Sequence, residues 1–492
     1  MPFSVARCHR VVCAQRTALL LAALVLSCSA YFFQGGGWNQ NAHFATTVAL
    51  VEHQTFSLRH YRHSSGDMAR AGDDIVSAKP AATALAMVPG YVVARILTRG
   101  IENPGNRHTL SAYITTVLGP GLALALTAVV LLVLLRRRLA ERDAVLLSLA
   151  MTIATPLWPF STMTNSTPFV ALWALCAYSL LEAPRLGCAS LTRHRLFAAG
   201  LATTLPATFE YQTAIIAIPL ALYAAWQVGP KPRLAFYGVG VATALILPVV
   251  HHTVVFGAPW KVGYTSLVMQ GFAHDAARGW MGFDGFSLVR LYDLTLGDIR
   301  GFFFASPFLL AAVPGLVRML KDPQHRAEGL AVGSAAWLML CAVSSLAYWH
   351  SGWAIVSRYA TLFIPFCAVP VAFIYTAHRR WINLGIAIAF VFMLIAISTT
   401  PTPPPPGNRP AQLTVYGWLY DKLMADEVAF RNEHVLVETD LGDGKPTWGT
   451  SFNLGEALGL EGRWSLLPFA LFLSIGLIAL WWTTRRPSPY GW

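Results

Sequence analysis

Apolar residues in this chain come in long runs, broken by polar turns that carry clustered arginines and lysines. Twelve runs read as membrane-spanning helices: 17–34, 109–135, 143–160, 168–183, 196–209, 211–227, 234–256, 301–317, 328–347, 359–377, 381–398 and 465–483. Their lengths suit the roughly 30 Å hydrocarbon core of a bilayer. Backbone groups in lipid must find partners within their own segment, which selects helix. The fifth and sixth runs are short and are parted only by Glu210. The expected fold class is therefore an all-α polytopic membrane protein with about twelve transmembrane helices.

The basic clusters set an expected orientation. Arg7, Arg10 and Arg16 precede the first run, which places the N-terminus in the cytoplasm. Arg136 to Arg138, Arg193 and Arg195, Lys231 and Arg233, Arg318 and Lys321, Arg379 and Arg380, and Arg485 and Arg486 then fall on the same side, as does the C-terminus. The acidic residues fall mostly in the outer segments. Three of those are long: 35–108, 257–300 and 399–464. The expected organisation is a transmembrane domain over 1–398, a Pro-rich outer loop over 399–464, and a last span with its tail over 465–492.

Periodicity adds detail to the outer segments. Residues 41–54 put Phe44, Val48 and Val51 on one side, the pattern of an amphipathic helix lying on a membrane surface. Residues 80–98 read as a juxtamembrane or re-entrant helix that opens on Pro80, a residue suited to a helix's first turn, and is interrupted at Pro89-Gly90. The third segment opens on a proline run, PTPPPPGNRP, expected to stand as a polyproline spacer. Residues 411–431 look weakly helical, and 434–440 reads as a short strand.

Composition agrees with a membrane protein. Of 492 residues, 55% are hydrophobic and only 12% charged, against about 25% charged in a soluble domain. The net charge of +12 follows from the inner-face clusters, so nucleic-acid binding is not needed to explain it. The N-terminal segment resembles a signal peptide, but Tyr31-Phe32-Phe33 extends the apolar run past the small residues at Ser29-Ala30. The seven cysteines lie in spans or on the inner side, which argues against a disulfide framework. No Cys/His spacing resembles a zinc site.

The candidate chemistry gathers in the first outer segment. Lys79-Pro80 offers an ammonium to a phosphate at the membrane surface; a lysine snorkelling at the head of a helix is the plainer reading. Four carboxylates accompany it: Glu52, Asp67, Asp73 and Asp74. Sugar transfer with inversion needs a carboxylate to take or orient the acceptor proton, and positive charge to stabilise the departing phosphate. Asp67 has the best local context, because Ser65-Gly66-Asp67 reads as a turn that fixes a side chain. Glu52, on the amphipathic helix, is either a second catalytic candidate or part of that helix's polar face.

His43, His53, His60 and His63 invite a metal reading, but only one pair has spacing for a shared helical face. Glu210-Tyr211 is either an ionisable group at membrane depth or a short outer turn. Arg358-Tyr359, at the outer mouth of a span, suits a two-pronged grip on phosphate or an interfacial anchor near Trp349 and Trp353. Lys261, Arg278 and Arg300 are weaker candidates of the same kind. His251 and His252 read as core or interface residues.

Taken together, the chain resembles the membrane-embedded GT-C glycosyltransferases, the group of the protein O-mannosyltransferases and lipid A aminoarabinose transferases, and more closely their uncharacterised bacterial relatives. The resemblance rests on NQNAHFATTVALVEHQTFSL, SGDMARAGDDIVSAKPAATALAMVPGY, TFEY at 208–211, FGAPWKVGY at 256–264, GFFFASPFLLAAVPGL at 301–316, WHSGWAIVSRY at 349–359 and NLGEALGL at 453–460. It implies a polyprenyl-phosphate-linked sugar as donor and a glycan, lipid or protein acceptor on the outer face of the bacterial inner membrane. It also implies Lys79 as a contact to the donor phosphate, with Glu210, Arg358 and Tyr359 around it. Some members use a divalent metal, but no ligand set is legible here.

The chain departs from the family pattern at Gln40 and Asn41, which stand where the family has an acidic pair. Neither amide serves as a base, so the work passes to Asp67, Glu52 or Asp73, or the protein binds a lipid or scaffolds an envelope complex without catalysis. A lipid-linked sugar transporter is the third reading. The scarcity of charged or broken spans in paired positions counts against it.

Overall fold

The apolar runs fold as helices packed side by side in the computed structural model, which describes residues 3–187, 190–229, 231–404, 414–429, 438–440, 446–448 and 451–485. Among the described residues, five helices are long and apolar enough to cross a membrane: Pro104–Leu135, Leu234–Phe256, Arg326–Ser344, Ile364–Ser398 and Gly462–Thr484. The first helix has a shorter apolar part, Gln15–Ala30, and most of the other runs form shorter or broken helices. The run expected at 143–160 divides into Glu141–Ile153 and Leu157–Ser161, with Pro156 at the break. The run at 301–317 divides at Ser306-Pro307.

The runs at 359–377 and 381–398 are joined without a loop in Ile364–Ser398, where His378 alone leaves helical geometry. That residue turns the chain back. Phe302 meets Phe363 with ring centres 4.2 Å apart, and Phe304 meets Phe392 at 6.0 Å. A straight helix would separate Phe363 and Phe392 by about 43 Å. Both therefore return to the short helix Phe302–Ala305.

Helix α1, Phe3–Ala30, packs against Leu122–Leu135 and Leu467–Thr484, so the first and last apolar helices are neighbours. Arg193–Phe209 packs closely against Leu234–Phe256. A Cβ on Gly200 would stand 2.0 Å from the Tyr237 carbonyl oxygen, and one on Gly240 would stand 2.1 Å from that of Phe197. Only glycine permits this approach of backbones.

One end of the bundle is fastened by buried charge. Arg137 and Arg138 both pair with Glu182, and Arg138 and Arg185 both pair with Glu328. Tyr178 donates to Glu328 as well. These contacts bring the turns after the second, fourth and eighth apolar runs to one face.

The segment 35–108, expected on the outer side, builds the other end. Strand β1, Phe32–Gln34, pairs antiparallel with Ser451–Asn453, tying the exit of α1 to the last outer segment. Helix α2, Trp38–Glu52, begins three residues before the expected start, after Gly36 and Gly37 turn the chain at positive φ. It is buried from Asn39 to Ala49 and does not lie on a surface. Phe44 and Val48 pack with Leu58, Tyr61, Met68 and Tyr91.

Strands β2, Met68–Ala71, and β3, Asp74–Ser77, form a hairpin whose turn uses Gly72 at φ 62°. Helix α3, Ala81–Leu97, runs through Pro89-Gly90 without the expected interruption. Further along, Val415–Met424 is helical within the expected 411–431, and Glu438–Asp440 pairs with Pro446–Trp448. Residues 434–437 and most of the proline run lie outside the described residues.

Candidate functional site

The β2–β3 hairpin delivers the two most informative side chains to one place. Its last paired residues are Met68 and Ser77, and beyond them the Ala78 N–H donates to the Asp67 carbonyl at 3.0 Å. The strands are thus still side by side at Asp67 and Lys79. Their side chains close an ion pair, Lys79 Nζ to Asp67 Oδ1 at 3.1 Å, with both residues buried.

The expected turn before Asp67 is present. Ser65 Oγ accepts the Asp67 N–H at 2.9 Å and donates to the Trp38 carbonyl at 2.6 Å. A Cβ on Gly66 would stand 2.7 Å from the Trp38 ring. Glycine therefore lets this turn lie flat against the indole, and the turn aims Asp67 inward.

The second outer segment reaches the same point by pairing with the hairpin edge. Arg70 N–H donates to the Ser266 carbonyl at 2.8 Å, and Val268 N–H donates to that of Met68 at 2.9 Å. Just before this, Gly263 lies so close to Ala78 that a Cβ would stand 2.6 Å from the Ala78 Cα. Tyr264 is thereby brought to Lys79, Nζ to hydroxyl 3.4 Å, with the ammonium 5.3 Å from the ring centre.

Burial works to lower the Lys79 ammonium, but Asp67 and then Tyr264 outweigh it and hold Lys79 above the usual lysine range. Burial raises the Tyr264 phenol despite the opposing pull of Lys79. His43, fully enclosed on α2, is pushed down to about 3, by burial first and then by the charges of Lys79 and Arg358.

Arg358 and Tyr359 enter from the head of Arg358–Thr361. The guanidinium is buried and donates to its neighbour's hydroxyl at 3.2 Å. Its Nε has no partner among the described residues. Glu210 is buried, not an exposed turn, and accepts from Ser166 Oγ. It stands near enough to act electrostatically on Arg358 and Tyr264. Tyr211 beside it hydrogen-bonds His252 Nε2 at 2.7 Å.

These groups surround a cavity of about 700 Å³, bordered by Asp67, Lys79, Tyr211, Tyr264, Arg358 and Tyr359. Trp38, Phe272, Phe283 and Leu346 give it a largely aromatic and apolar wall. Two buried cations on a largely apolar cavity can bind an anionic group next to an apolar one. The carboxylate of Asp67 adds a proton acceptor beside it.

Other sequence candidates lie elsewhere. Glu52 pairs with Arg95 at 3.0 Å and accepts from Tyr91 at 3.2 Å, outside the cavity. Asp73 sits exposed at the hairpin tip, the end away from Asp67. Asp74 is held by Ser57 and Arg59. Arg278 pairs with Asp284, Lys261 is exposed, and buried Arg300 donates to the Gly352 carbonyl at 2.7 Å.

Of the histidines, His53 and His60 lie with ring centres 5.3 Å apart and planes tilted by 34°. Among the described residues no three His, Cys, Asp or Glu side chains are grouped to hold a metal ion. Gln40 borders the cavity, and its amide nitrogen contacts Met163 Sδ at 3.0 Å. Asn41 turns away to the Ser64 carbonyl at 2.7 Å. Sequence reasoning did not single out Trp38, Asn39 or Tyr348, which also border the cavity. The triple glycine before Trp38, Gly35 to Gly37, was the available signal.

No family model matches the chain, and no curated protein does. Solved structures do. ArnT from Cupriavidus metallidurans, solved bound to undecaprenyl phosphate, superposes with a TM-score of 0.51 at 15% identity, over 97% of this chain and 72% of that one. The oligosaccharyltransferase of Archaeoglobus fulgidus follows, at a TM-score of 0.43 and 12% identity over 80% of this chain and 56% of that one. AglB from the same organism, in complex with an inhibitory peptide and a dolichol-phosphate, gives 0.44 and 14% over 84% and 57%.

The likeness to ArnT shows the fold. The chain has the fold of that structure, and its described residues include helices long and apolar enough to cross a membrane.

Proposed function

We propose that the protein is an inverting glycosyltransferase that moves a sugar from a polyprenyl-phosphate donor to an acceptor on the outer face of the cytoplasmic membrane. The observation that carries this reading is the convergence of Lys79, Arg358 and Asp67 on one apolar cavity. In this reading Lys79 and Arg358 hold the donor phosphate, and the lipid chain leaves along the apolar wall.

Asp67 takes the proton of an acceptor hydroxyl as its oxygen attacks the anomeric carbon. The bond from that carbon to the phosphate oxygen breaks, and the polyprenyl phosphate departs with its charge held by the two cations. An ammonium has three N–H donors, so Lys79 keeps Asp67 while it binds phosphate.

A second reading is supported by Gln40, which borders the cavity where the family resemblance would put an acid. In that reading the cavity binds a polyprenyl phosphate without transfer.

The test is a lipid profile of cells lacking the protein, complemented with wild type or with Asp67→Asn at matched membrane expression. A polyprenyl-phosphate sugar that accumulates in the deletion, is cleared by wild type and is not cleared by Asp67→Asn supports transfer. An unchanged lipid profile in the deletion favours binding alone.

A further inference from the structure

Asn39 borders the cavity from the first turn of α2 and is only 4% exposed. Neither its Nδ2 nor its Oδ1 has a hydrogen-bond partner among the described residues. The amides that follow it are engaged, Gln40 with Met163 and Asn41 with Ser64. A buried side-chain amide with both ends unpaired is rare in a native protein and calls for a reason.

Its position supplies one. Asn39 precedes His43 by four residues, so the two side chains share one face of α2, about 5–6 Å apart. His43 lies in the field of both Lys79 and Arg358. Asn39 borders the same cavity as the two cations. A sugar joined to a phosphate held by those cations would share that cavity with Asn39.

We infer that Asn39 is the residue that reads the transferred sugar, and that this sugar is uncharged and recognised through adjacent hydroxyls. The inference rests on the donor site proposed above. A carboxamide offers an acceptor and a donor side by side without charge. That pattern complements two hydroxyls, each able to give and to take a hydrogen bond.

A cationic amino sugar would need a free carboxylate instead. Asp67 is already paired with Lys79, and Asp275 stands at the partly exposed rim beside His274. Trp38, Phe272 and Tyr348 form an edge-to-face chain along the wall, with ring centres 5.6 and 5.5 Å apart. An aromatic surface of this kind accepts the apolar face of a neutral sugar ring.

The test titrates the full-length protein in lipid nanodiscs with three probes: undecaprenyl phosphate, undecaprenyl-phosphate-glucose and undecaprenyl-phosphate-glucosamine. Wild type is expected to bind the glucose lipid most tightly. Asn39→Ala is expected to lose that advantage, about 10-fold, with unchanged affinity for undecaprenyl phosphate and no loss of thermal stability. Asn39→Asp is expected to turn the preference toward glucosamine.

A wild type that binds the glucosamine lipid as tightly as the glucose lipid overturns the inference. So does an Asn39→Ala protein that keeps the preference. Lys79→Ala separates the two levels of the argument. If it leaves undecaprenyl phosphate binding intact, the donor site itself is misassigned. If it abolishes that binding while Asn39→Ala keeps the glucose preference, only the role of Asn39 falls.

Discussion

Removing both members of the Lys79–Asp67 pair should cost less than the sum of removing each alone. The pair is 3.1 Å long, and its side chains are 4% and 9% exposed. At an effective dielectric of 20 two unit charges at that distance attract by about 5 kcal/mol. Desolvation of both groups consumes much of this, so the net worth of the intact pair is small. Stripping away one partner leaves the other charged and buried, which typically costs about 3–5 kcal/mol.

Lys79→Met and Asp67→Asn should each destabilise by about that amount, and the double variant by clearly less than their sum. The assay is equilibrium unfolding in mixed dodecylmaltoside and SDS micelles, run as a double-mutant cycle. Additive losses would refute the reasoning, because they would mean that the two charges are hydrated separately in the folded protein.

Three further expectations follow from the same structure. The His43 ring is held down to about 3 against an ordinary 6.5, so the unfolded chain binds its proton first. Stability should therefore fall as pH drops from about 6.5 toward 3, on the order of 1.4 kcal/mol per unit, and His43→Gln should flatten that slope in unfolding measured across the window. Gly66→Ala should cost about 1–3 kcal/mol by driving a methyl into the Trp38 ring. It should also weaken undecaprenyl phosphate binding through displacement of Asp67, read by titration in nanodiscs. Glu328→Ala should destabilise by about 3–5 kcal/mol, since it strips the Arg138 and Arg185 guanidinium groups of a shared carboxylate; an unfolding midpoint equal to wild type would contradict this.

What the sequence made legible was mostly local. A Ser-Gly-Asp turn, a Lys-Pro before a helix and an Arg at a helix head are short-range patterns. The structure places Asp67, Lys79 and Arg358 around one cavity. Glu52 and Asp73 carry the same chemistry in sequence, yet Arg95 and Tyr91 hold the first and the hairpin tip exposes the second. Which partner captures a carboxylate is a tertiary fact, invisible in spacing.

Helix α2 shows the same limit. Its apolar period suggested a surface helix, but its polar face is covered too, because Asn39, Gln40 and His43 turn inward. The approach of Tyr264 to Lys79 depends on Gly263 touching Ala78 across 185 residues of chain. Proline and histidine breaks also shaped the bundle. Pro156 and Ser306-Pro307 split runs that hydropathy alone reads as continuous.

The most direct test of the central claim is transfer itself. Purified protein in proteoliposomes is given the polyprenyl-lipid extract of cells lacking it, together with glycan, lipid and protein fractions of the cell envelope as acceptors, and the lipids are followed by mass spectrometry. The account expects wild type to consume one polyprenyl-phosphate sugar, release the matching polyprenyl phosphate and mark one acceptor fraction, while Asp67→Asn does none of these. Equal consumption by Asp67→Asn would contradict the assignment of the base, and release of no polyprenyl phosphate by wild type would contradict the assignment of a glycosyltransferase.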